Sequence, residues 1–115
     1  MHLTEQQAVD DLQRFPPAET CRLIPFESAR ILRPSKKIIF LIVQGEKPYI
    51  NMGVSLSPWI YVTQPDYWRY DVHGCIGGIL LPETAPYVAF ADATFMHGTK
   101  GIEVVGFDSF QQIDL

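Results

Sequence analysis

Only two cysteines, Cys21 and Cys75, occur in the 115 residues, too few and too far apart for a disulfide framework, so the fold has to rest on an apolar core. No glycine precedes Gly45, so the first third of the chain has no easy access to left-handed turns. The longest unbroken apolar run, residues 38–43, is far too short to span a bilayer. The first ten residues carry no basic start followed by an apolar stretch, which argues against a secretory signal. A reduced, cytoplasmic chain is therefore expected, with no membrane partner. Cations are scarce beyond residue 37, where Lys47, Arg69 and Lys100 face eight acids. With a net charge of −4 and no general basic footprint, nucleic acid is not an expected partner. The nucleotide-binding glycine fingerprint, the His-Glu-x-x-His helix and the serine elbow are all missing.

What is present fits one globular domain spanning 1–115. Hydrophobic residues make up 47% and charged residues 19%, enough apolar material to fold without disulfide or metal. The charge is uneven. Residues 22–37 hold five cations against Glu27, while the segments on either side are acidic.

Thr4 and Gln7 form a capping box, and Ala8, Leu12 and Phe15 share a face before Pro16 and Pro17. This predicts a short amphipathic helix over residues 5–14. From about residue 20 onward the pattern changes to short β-prone runs between turn residues. All eight glycines and twelve of the fourteen aromatics lie in the later part of the chain. Residues 37–44 are continuously apolar and β-branched, as in a strand covered on both faces. Residues 45–47 suit a hairpin loop, and 48–56 return with Ile50, Met52, Val54 and Leu56 on one side. The expected fold class is α+β and mostly antiparallel β: a small barrel or two-layer sandwich with one N-terminal helix. Val62, Val72, Val88, Phe90, Ile102 and Val104 join the last four residues as expected core.

Residues 67–75, Y-W-R-Y-D-V-H-G-C, alternate. In a strand the even positions Trp68, Tyr70, Val72 and Gly74 would face inward. Tyr67, Arg69, Asp71, His73 and Cys75 would then share the outer face, ~6.6 Å apart. An imidazole beside a thiol lowers the thiol pKa and creates a nucleophile. His73 as general base, Cys75 as nucleophile and Asp71 beside them are thus the catalytic candidates, and the same spacing suits two zinc ligands. Outer faces of antiparallel strands are polar in any case, and a buried structural thiol is the plainer role for Cys75. No metal and no cofactor are assigned.

Trp59, Tyr61, Tyr67, Trp68 and Tyr70 lie within twelve residues. Aromatic cross-strand pairs stabilise sheets, yet Trp and Tyr are also enriched at ligand pockets and partner interfaces. With Arg69 as a polar anchor, these residues are the expected binding surface. The expected function is a non-enzymatic binding module for a small molecule or a protein partner. The competing expectation is a Cys/His-dependent enzyme or metal site on Asp71, His73 and Cys75. An edge strand or a chain terminus could also pair two subunits into a homodimer.

Overall fold

The computed structural model describes residues 20–115. The helix expected over residues 5–14 lies outside them. The described residues are all-β, in eight strands and two sheets, which corrects the α+β expectation. The strands are β1 (Thr20–Leu23), β2 (Ser28–Ser35), β3 (Ile38–Lys47), β4 (Gly53–Pro58), β5 (Tyr67–Ile76), β6 (Ala85–Asp92), β7 (Gly101–Val105) and β8 (Phe110–Asp114).

One sheet runs β2-β3-β6, antiparallel throughout. The other is organised by β5. Strand β4 pairs along one edge of β5, antiparallel, from Gly53↔Cys75 to Pro58↔Tyr70. The opposite edge is shared end to end. Antiparallel β1 takes Ile76 to His73, and parallel β7 takes Tyr67 to Asp71. Strand β8 then pairs with β7. The β5–β7 pair is parallel because the chain leaves for the other sheet, as β6, before it returns.

The core lies between the sheets. Ile39, Leu41 and Val43 of β3 face Tyr70 and Val72 of β5 and Ile102 and Val104 of β7, all buried. The β5 alternation is as expected: Tyr70, Val72, Gly74 and Ile76 are buried, while the odd positions are only partly covered. Gly74 is needed in this strand because Met52 and Ile24 Cγ2 pack onto its bare Cα, and a Cβ there would lie 2.8 Å from the Ile24 carbon.

Several expectations need correction. The hairpin loop at 45–47 does not exist, and β3 continues to Lys47. The strand requires glycine at position 45 because the Phe26 backbone and the Tyr87 hydroxyl occupy the space a side chain would fill, 3.0 and 2.9 Å from an added Cβ. The Tyr87 hydroxyl donates to the Pro25 carbonyl at 2.7 Å, tying β6 to the β1–β2 link. The expected core residues Met52, Val72, Ile102 and Val104 are buried, but Ile50, Val62, Val88 and Phe90 are exposed. Strand β6 turns Tyr87 and Ala89 inward instead, leaving Val88 and Phe90 outside.

Burial pushes the Tyr70 and Tyr87 phenols up to about 12, with smaller contributions from Asp92 and Glu27 respectively. A raised phenol pKa favours the folded state while the group is protonated. That stability is complete below pH 10, the ordinary tyrosine value, and is lost as the pH climbs toward 12. A urea midpoint that holds steady up to pH 10 and falls between there and 12, with tyrosinate absorbance rising at the same time, is the expected result. A midpoint flat across that window would contradict it.

Candidate functional site

The β4–β5 connection, residues 59–66, leaves the sheet just after Pro58 and folds back over the start of β5. The Trp59 amide donates to the Arg69 carbonyl at 2.9 Å, extending the ladder by one rung. The Trp59 indole lies under the Arg69 guanidinium, whose central carbon is 4.1 Å from the ring centroid. Asp71, two residues along the same face, holds both: one oxygen accepts from Arg69 Nε at 2.7 Å and the other from Trp59 Nε1 at 3.0 Å. The Trp68 indole donates to the Trp59 carbonyl at 2.9 Å. Tyr61 stands edge-on to Trp68, with centroids 5.0 Å apart, and its oxygen accepts from the Arg69 amide at 3.3 Å. The outcome is an aromatic surface with few free torsions. Trp59 nevertheless keeps 45% of its surface exposed, and its neighbours Ile60 and Val62 are almost fully exposed.

Of the six residues expected to form the binding surface, Trp59, Tyr61, Trp68 and Arg69 come together. Tyr67 does not join them. It reaches across the row Tyr67–Gly101–Asp114 to donate to the Asp114 carboxylate at 2.6 Å, and this bond raises its pKa. Tyr70 is a core residue, 1% exposed, whose hydroxyl donates to the Met96 carbonyl at 2.8 Å. That bond fastens the β6–β7 connection to the sheet.

The three catalytic candidates separate. Cys75 is bonded to Cys21 across the β1–β5 pair, so in this structure it carries no thiol for a nucleophile. Asp71 is occupied by Arg69 and Trp59. The His73 Nδ1 lies 2.9 Å from Ser57 Oγ on β4. A serine–histidine contact is the beginning of a nucleophile–base relay, which also needs a group to orient the imidazole and donors for a developing oxyanion. Among the described residues, no carboxylate hydrogen-bonds to His73, and no group of three or more His, Cys, Asp and Glu could hold a metal ion.

Ser57 and Ile60 were not singled out from the sequence as site residues, and Val62 was expected in the core, whereas Ile60 and Val62 are exposed. The signal available for the last two was their place between Pro58 and Pro65, where apolar residues have no strand to bury them. Clefts of about 340 and 350 Å³ open at the other end of β5, flanking Arg22. Neither is lined by any residue of the aromatic surface.

Among the described residues the fold is all-β, with two facing sheets and a braced aromatic surface at one end of β5. Comparison with protein-family models, with curated proteins and with solved structures returns no match. No helix among the described residues is long and apolar enough to cross a membrane.

Proposed function

We propose that this chain is a non-enzymatic binding module that presents Trp59, Tyr61, Trp68 and Arg69 to a protein partner. The observation that carries this reading is Trp59, whose indole is half open to solvent yet fixed through its ring face and its ring nitrogen, while its main-chain carbonyl accepts from Trp68. An exposed aromatic that is already immobilised loses little entropy on binding, which is the property of an interface anchor. Ile60 and Val62 add apolar area beside it. A protein surface fits better than a small molecule because neither of the clefts described above is lined by Trp59, Tyr61, Trp68 or Arg69, whereas small-ligand sites are concave. A cage for a quaternary ammonium does not fit either. Tyr61 and Trp68 touch each other, and Arg69 already covers one face of Trp59. The Cys21–Cys75 bridge favours an oxidising compartment over the expected cytoplasm.

Trp59→Ala is expected to abolish partner capture while lowering stability by about 2 kcal/mol, since it removes a half-exposed indole with its Arg69 stacking and its Asp71 hydrogen bond. The measurement compares proteins retained by immobilised wild type and by the variant, followed by titration of the purified candidate against both. Identical capture by the two, or a variant that no longer folds alongside an Ile60→Asp, Val62→Asp variant that binds normally, overturns the assignment.

A further inference from the structure

Strand β1 brings a charged residue to the inner side of its sheet. Arg22 lies opposite Gly74 in the β1–β5 register, and residues opposite each other in a ladder share a face. That face of Gly74 is covered by Met52 and Ile24. The neighbours of Arg22 on the same side of β1 are Thr20, opposite buried Ile76, and Ile24, which is 1% exposed. The sheets do not close over Arg22. The clefts of about 340 and 350 Å³ flank it, and Arg22 lines both. Its guanidinium stands over the Tyr49 ring, 5.9 Å from the centroid.

The first cleft holds a second cation. Lys47 lines it, and its ammonium donates to the Met52 carbonyl at 2.8 Å. Two of the three ammonium protons remain for other acceptors. Among the described residues no carboxylate forms an ion pair with Arg22 or Lys47. The one carboxylate in the lining, Glu46, is exposed. Apart from Thr84, the rest of the wall is apolar, supplied by the β1–β2 link, Pro48 and Phe107. Phe107 is held there by its backbone. Its amide donates to the Ile24 carbonyl at 3.1 Å, and Gly106 before it packs so closely that an added Cβ would lie 2.7 Å from Phe26 Cδ1. The Phe107 side chain meanwhile stays largely open to solvent.

We propose that the first cleft binds a small amphipathic carboxylate, with its charged head at Arg22 and Lys47 and its apolar body along Pro48 and Phe107. A volume of about 340 Å³, apolar walls and a few placed polar groups are the attributes of a small-molecule site. The two cations select the charge of the ligand, and a guanidinium can take a carboxylate through paired N–H groups. The first cleft is chosen over the second because both cations line it. A fatty acid and an aromatic acid share this chemistry. The site lies at the other end of β5 from the aromatic surface and does not rest on the function proposed for that surface.

Calorimetric titration of the full chain with decanoate and with naphthoate, each below its aggregation concentration, tests the site and separates the two kinds of acid. At least one is expected to bind, one per chain, with a dissociation constant in the tens of micromolar. The methyl ester of that acid should bind at least tenfold more weakly. Arg22→Met keeps most of the stem and removes the charge; it should weaken binding at least tenfold, and Arg22→Lys should restore part of the loss. Glu46→Gln should tighten binding. Phe107→Ser should weaken it, whereas Leu80→Ser, in the second cleft, should leave it unchanged. Near-UV spectra matching wild type establish that these surface variants are folded. Failure of both acids to bind overturns the proposal, as does an ester that binds as well as its acid or an Arg22→Met variant that binds like wild type. Binding lost in Leu80→Ser but kept in Phe107→Ser overturns the choice of cleft.

Discussion

Replacing both cysteines, as Cys21→Ala together with Cys75→Ala, is expected to lower the unfolding free energy by about 4 kcal/mol. The bridge joins residues 54 apart in sequence. In the chain-entropy account, cross-linking a loop of that length removes roughly 4 kcal/mol of freedom from the unfolded ensemble. The folded state loses little, because Cys21 is exposed and Cys75 half-buried on the outer face. Urea denaturation of the variant, of oxidised wild type and of reduced wild type gives the comparison. The reduced protein should match the variant, and the oxidised protein should stand alone at a higher midpoint. Thiol titration of native protein should find no reactive thiol before reduction and two after it. A thiol that reacts in the untreated protein would remove the bridge and return Cys75 to the candidates for nucleophile.

Tyr70→Ala is the second large effect, about 4 kcal/mol of destabilisation, in the range for emptying an aromatic site in a core. Tyr70 sits in the middle strand of its sheet, 1% exposed, among the largest side chains that are fully enclosed. The variant also leaves the Met96 carbonyl without its donor. Tyr70→Phe isolates that second part and should cost about 1 kcal/mol, the net worth of an ordinary hydrogen bond. The pair separates the structural reading from the expectation that Tyr70 belongs to the binding surface. A contact residue would lose binding with stability intact, whereas Tyr70 should lose stability first. If Tyr70→Ala unfolds with a midpoint near wild type, the assignment of this residue to the core is wrong.

The strand pattern of β5 was legible because one face is packed and the other open, so polarity alternates and period two is visible. The same reasoning found β4 by its alternation but began it at residue 48, where the structure begins it at Gly53. It misplaced Val88 and Phe90 because β6 is apolar on both parities. Alternation then carries no information, and the smaller Tyr87–Ala89 row took the inner side. It ended β3 too early at Gly45, since a glycine reads as a turn unless the groups packed against it are known. Of the site, the aromatic residues were visible by density alone. What divided them was not visible: an acceptor on β8 draws Tyr67 away, and the core encloses Tyr70. The cysteine pairing depended on β1 reaching the far edge of β5, a tertiary fact with no local trace in either strand.

The long edge of β5 that β1 and β7 share has a consequence for how the chain is assembled. Residues from near the start and near the end of the described chain must both arrive before that edge is sealed. The β2–β3 hairpin can form while the ribosome is still adding residues, since its two strands are adjacent in sequence. The sheet that carries the aromatic surface has to wait for the last strands to be synthesised. Until then β5 displays a bare row of amides and carbonyls, and this interval is when the nascent protein is most open to pairing with the wrong neighbour.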